Sequence, residues 1–195
     1  GAGVGWRVAV RAVNGRTMQS WDAAHAVVRA RPTPSGAFWN ALQELCGTSY
    51  LGAVTESVPA DTAFAGKPLQ MHVRQCSPNE VRIAFHVGED RSRTWVVTRR
   101  AGGLRLKHDH RHEDGSADSV TQYGGDTRDQ GSAVFQDFFA DAATARLIPA
   151  ARANVWTIEL VPGERFVYAL RREGTDRKFR VTFNLRQPAT LPLPP

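Results

Sequence analysis

Apolar residues recur at every second position through much of this chain. Leu69, Met71 and Val73 share one face of 69–76, with His72 and Arg74 on the other, and Val81, Ile83, Phe85 and Val87 line up in the next segment. A period of two marks half-buried strands. Ser77-Pro78-Asn79 joins this pair as a hairpin turn. Thr94–Arg100 and Leu104–His112 read as a second hairpin meeting at Gly102-Gly103. Thr121–Tyr123 precedes an expected turn at Gly124-Gly125, and Ala133–Phe138 reads as a further strand. Val155–Val161, Arg165–Arg172 and Lys178–Leu185 then form a meander turned by Pro162-Gly163 and Glu173-Gly174-Thr175.

Two short segments carry a helical period instead. Phe38, Leu42 and Leu45 form one apolar face behind Ser35 as an expected N-cap, with Gly47 ending the helix. Asp141 is placed to cap a short helix over Ala142–Leu147, stopped near Pro149. The expected fold is therefore mostly β, an antiparallel meander of about 8–10 strands with an N-terminal helix and a short helix near 142–148. Open sheet edges invite unwanted pairing, so such a meander closes into a barrel or folds into a sandwich. Consecutive hairpins after a leading helix favour the closed up-and-down barrel. The domain is expected over 36–187, with residues 1–35 a basic tail and linker and 188–195 a Pro-rich tail. The break at Arg31-Pro32-Thr33-Pro34-Ser35-Gly36 sets the first boundary.

The formal charge of +6 changes this picture only at the N-terminus. Residues 1–31 hold five arginines against Asp22 alone, leaving 20 basic and 18 acidic residues for the remainder. The domain is nearly balanced. A nucleic-acid reader needs a basic stripe interleaved with aromatics on one element, and none is visible, so nucleic acid is not an expected partner. No apolar run approaches the length of a membrane-spanning helix. Oligomeric state is not legible.

Cys46 ends a helical segment and Cys76 ends a strand, both where the chain turns. With two cysteines in all and no Cys-x-x-Cys, a structural zinc site is not expected; the choice lies between two reduced thiols and a disulfide, which is favoured. A disulfide points to the periplasm or the cell exterior. Residues 1–35 lack the unbroken apolar run of a secretory leader, and the chain begins at Gly1, read as a processed or truncated start.

Several blocks occur in a characteristic order. They are Phe38-Trp39 with Leu45-Cys46-Gly47, Met71-His72-Val73-Arg74 with Cys76, and Phe85-His86-Val87-Gly88 running into Asp90-Arg91-Ser92-Arg93-Thr94-Trp95. Leu106-Lys107-His108-Asp109-His110-Arg111-His112-Glu113-Asp114-Gly115 and Gly163-Glu164-Arg165-Phe166-Val167-Tyr168 follow. Over 36–187 the sequence resembles a family of uncharacterised exported proteins of Gram-negative bacteria. That resemblance implies a periplasmic or secreted location and no particular chemistry. A weaker likeness, of topology alone, is to calycin-type barrels, the lipocalin and fatty-acid-binding class; fold does not imply function.

One cluster suggests a site. In 104–112, Leu104, Leu106, His108, His110 and His112 share a face, so the histidines continue an inward stripe toward the Glu113-Asp114-Gly115 turn. In a barrel this puts imidazoles at the mouth. His108, His110 and His112 are candidate ligand-binding residues, joined by Arg91 and Arg93 if their loop shares the rim. His108 and His110 could also share a metal such as zinc, with His86 or His72 as a third ligand. His108 and His112 are about 13 Å apart at Cα, too far to share one ion.

Other catalytic templates fail. The Gly1–Gly5 run follows no strand and lacks the Lys-Ser/Thr of a phosphate loop, and Gly-x-Ser-x-Gly is absent. Ser92 has no defined base, and Asp109, Glu113 and Asp114 read as solvated acids beside a turn. Trp95 and Trp156 read as core or rim packing. The expected role is binding, of a small ligand or a cell-envelope component, in or at the mouth of the barrel. A metal-dependent hydrolase using His108 and His110 is the first alternative, and a structural or interaction protein without ligand the second. Whether the protein is an enzyme is left open, with binding favoured, and no cofactor is expected apart from zinc in the hydrolase reading.

Overall fold

In the computed structural model, residues 31–192 are described. The tail expected over 1–35 therefore lies, up to residue 30, outside the described residues. Helix α1 (Pro34–Glu44) leads into ten strands: β1 (Ser49–Val58), β2 (Leu69–Cys76), β3 (Glu80–Val87), β4 (Asp90–Arg100), β5 (Gly103–His110), β6 (Tyr123–Asp126), β7 (Phe135–Ala140), β8 (Asn154–Val161), β9 (Arg165–Arg172) and β10 (Lys178–Pro188). Helix α2 (Ala142–Leu147) and a 3-10 turn (Pro149–Ala151) lie between β7 and β8. Each strand pairs antiparallel with the next, and β10 returns to β1, closing the barrel.

The ends of this barrel differ. At one end α1 lies against the sheet with Phe38, Trp39 and Leu42 buried in the core. Gln43 donates to the Ser77 carbonyl, and Ser35 to Gln130 Oε1 in the β6–β7 loop. Cys46 and Cys76 stand at bonding distance, Cα atoms 6.2 Å apart, tying the α1–β1 connection to the last residue of β2. The opposite end carries the longer connections 59–68, 111–122 and 141–153 and the tight turns 88–89 and 173–177.

Outward positions are charged and paired across strands. Arg82 and Arg111 hold Asp109, Arg105 holds Asp126, and Lys107 holds Asp141. Arg171 pairs with Asp137, while Arg165 and Arg180 share Glu159. Asp109 is thus a buried acid and not a solvated one. Burial alone would raise its carboxyl, but the hydrogen bonds and charges of Arg111 and Arg82 hold it below the usual range.

The structure corrects several local expectations. Thr33, not Ser35, caps α1: its Oγ1 accepts from the Gly36 amide at 3.1 Å, and Pro34 occupies the first turn, where a missing N–H costs nothing. The expected linker thus supplies the start of a helix. The Pro-rich end is tied down where it begins, with the Ala189 amide donating to Ser49 and the Thr190 carbonyl accepting from Gln70. Gly124-Gly125 is the middle of β6, not a turn. A Cβ on Gly125 would stand 1.6 Å from the Phe139 carbonyl oxygen, and one on Gly124 would stand 2.0 Å from that of Leu106. These glycines admit neighbouring backbone on both sides. The Thr144 hydroxyl of α2 completes that weak strand, accepting from the Gly124 amide and donating to its carbonyl, each at 2.7 Å.

Strand β1 escaped the pattern altogether. Gly52 and Ala53 give it little apolar signal, and Leu51 faces solvent at 60% exposure. Gly52 is required by packing: a Cβ there would meet the Phe183 ring of β10 at 2.6 Å.

Candidate functional site

At the end of the barrel opposite α1, inward side chains surround a cavity of about 260 Å³. Strand register explains its walls. On β4, Arg93 and Trp95 stand opposite His110 and His108 of β5, and His108 in turn faces Tyr123 of β6. On the far side, Trp156 of β8 pairs with Leu170 of β9, two residues beyond Tyr168. Phe64 and Asp61 come from the β1–β2 loop, and Ile148 and Ala151 from the α2 region.

Rings run unbroken across this space. Phe64 lies 6.0 Å from Phe85, which stacks on Trp95 at 4.6 Å; Trp95 stacks on Tyr168 at 4.3 Å with planes 13° apart. The Tyr168 ring then meets His108 edge-on, and His108 stacks on Tyr123 at 4.5 Å. Such offset contacts are worth about 0.5–1.5 kcal/mol each beyond area burial.

His108 is the polar centre of the wall, 2% exposed. Its Nδ1 lies 3.1 Å from the Tyr123 carbonyl and its Nε2 2.7 Å from the Tyr168 hydroxyl. A carbonyl only accepts, so Nδ1 carries the proton and Nε2 accepts from Tyr168. Burial holds this imidazole neutral by lowering its pKa to about 3. His110 is half-buried, with Nε2 3.2 Å from the Tyr123 hydroxyl. Burial, then the charge of Arg93, lowers its pKa as well. Burial pushes the Tyr123 phenol up to about 12. The floor of the cavity is therefore uncharged and internally hydrogen-bonded.

Charge gathers at the rim. Arg93 pairs with Asp90 and lies 5.7 Å over the Phe64 ring. Arg172, the last residue of β9, donates from Nε to Asn154 Oδ1 at 2.9 Å, and Arg177 follows in the β9–β10 turn. Among the described residues no carboxylate pairs with either of these two arginines.

Of the residues singled out from sequence, the structure brings His108, His110 and Arg93 to one cavity. His112 lies beyond the end of β5, exposed, and neither it nor Arg91 lines the cavity. His72 and His86 alternate with the inward residues of β2 and β3 and do not reach His108. Both nitrogens of His108 already have protein partners, and no group of three or more His, Cys, Asp or Glu among the described residues is placed to hold a metal ion. Sequence reasoning gave no site role to Trp95, Trp156, Tyr123, Tyr168, Arg172 or Arg177. The signal that could have found the strand residues is the inward stripe itself, followed to its end at the mouth.

Comparison of the chain with protein-family models, curated proteins and solved structures finds no match. The likeness to exported Gram-negative proteins therefore rests on its sequence blocks alone.

Proposed function

We propose that this protein is an exported, calycin-like binding protein that takes up a small, largely apolar molecule in the aromatic cavity at the mouth of its barrel. The observation that carries this reading is the combination of a ring-lined cavity with a neutral, fully hydrogen-bonded His108 at its floor. Ligand sites are concave and mostly apolar, with a few placed polar groups. A closed ten-stranded up-and-down barrel is compatible with a calycin-like fold. The Cys46–Cys76 pair is consistent with an oxidising compartment. Among the described residues no helix is long and apolar enough to cross a membrane. The metal-dependent hydrolase reading lacks comparable support, because His108 is committed on both ring nitrogens.

Titration with N-phenyl-1-naphthylamine, a neutral probe that brightens in apolar surroundings, tests the reading. The expected result is saturable, one-site enhancement that Leu170→Trp reduces at least tenfold by filling the half-buried wall position. Non-saturating fluorescence, or saturation indifferent to Leu170→Trp in a variant that still folds, would contradict it.

A further inference from the structure

Resting on that reading, we infer that the occupant is a compact aromatic acid, its ring system among the cavity rings and one carboxylate at the rim between Arg172 and Arg177. On the outer face, Arg105 and Arg171 each have a carboxylate on another strand; Arg172 and Arg177, which line the cavity, have none among the described residues. Arg172 is pre-aimed. Its Nε–H is held by the buried Asn154, and its remaining N–H groups donate to no described side chain. Guanidinium forks match carboxylates in shape and charge, and a fork already oriented loses less freedom on binding.

Rim charge sets the ligand's valence. Arg93, Arg172, Arg177 and Asp61 line the cavity, and Arg93 is paired with Asp90, which leaves an excess of one positive charge that a single carboxylate neutralises. Cavity size sets its bulk. About 260 Å³ falls just below the usual range of ligand pockets, which suits a compact fused-ring body and not a long extended chain. The floor agrees with this orientation. Neutral His108 and the internally bonded Tyr168 offer no charge to an anion, so the charged end belongs at the mouth.

The test is calorimetric titration with two probes of one shape, naphthalene-2-carboxylate and the neutral 2-naphthylmethanol. The carboxylate is expected to bind at least tenfold more tightly at low salt, with the ratio shrinking as salt rises. Arg177→Gln, at an exposed turn position where folding is not at stake, should cut the ratio about threefold, and adding Arg172→Gln should bring it near one. Equal affinity for both probes in the wild type would overturn the carboxylate assignment while leaving the apolar pocket standing. A preference for carboxylate that survives the double replacement would overturn the assignment to these arginines. Binding of neither probe would overturn the pocket reading together with this inference.

Discussion

Lowering the pH from 6.5 to 4.5 will destabilise the barrel by about 2 kcal/mol through His108 alone. Burial lowers its pKa to about 3 in the folded chain, against the ordinary 6.5 of an exposed imidazole. Between those values the unfolded chain binds a proton that the folded chain refuses, so stability is present above 6.5 and is lost as the pH falls. The other lowered histidines, His72, His86 and His110, act in the same direction. Asp109, Asp141 and Glu159, held below their ordinary values by arginine or lysine partners, add their losses only at lower pH. His108→Gln isolates the effect, because an amide can accept from Tyr168 and donate to the Tyr123 carbonyl without titrating. Urea unfolding across pH 6 to 4.5 is expected to show a slope about one proton shallower in this variant. Equal slopes would mean that His108 is not held as a buried neutral acceptor.

Replacing Cys46 and Cys76 together with Ala will cost about 3–4 kcal/mol on the chain-entropy argument for a 30-residue separation. That is a large share of the roughly 5–15 kcal/mol typical of a domain. The loss has a structural address. The link joins the chain after α1 to the end of β2, at the end of the barrel where Phe38, Trp39 and Leu42 are buried. Denaturant midpoints of the wild type under oxidising conditions should exceed those of the double variant, and added reductant should bring the two together. Coincident oxidised midpoints would show that the link contributes nothing.

The barrel was legible because its long strands announce themselves. Met71, Ile83, Leu106 and Ile158 sit on inward faces whose alternation is read directly from the chain. Helix α2 was equally plain, since Asp141 caps it as its spacing requires and accepts from the Thr144 amide at 2.8 Å. Where small residues replace alternating ones, the pattern fails. Gly52 in β1 and Gly124-Gly125 in β6 are dictated by atoms far away in sequence, the Phe183 ring and the Leu106 and Phe139 carbonyls. The same is true of the site. The period-2 reading placed His108 and His110 on an inward stripe near the mouth, but it could not show that Tyr168 lies 60 residues away at hydrogen-bonding distance. Nor could composition separate Arg172 and Arg177 from the many arginines that are neutralised across strands. Pairing is a property of the closed sheet.

The proposed binding of a small apolar molecule between Trp95, Trp156 and Tyr168, at one end of the barrel, is tested most directly by the indole N–H signals of the protein. Trp95 and Trp156 line the cavity, whereas Trp39 sits on α1 at the other end. In a titration with 2-naphthylmethanol followed by nitrogen-15 tryptophan spectra, assigned by single Trp→Phe variants, the Trp95 and Trp156 signals are expected to move saturably with one common dissociation constant while Trp39 stays in place. Saturable movement of Trp39 alone, or a spectrum that does not respond at all, would contradict the claim.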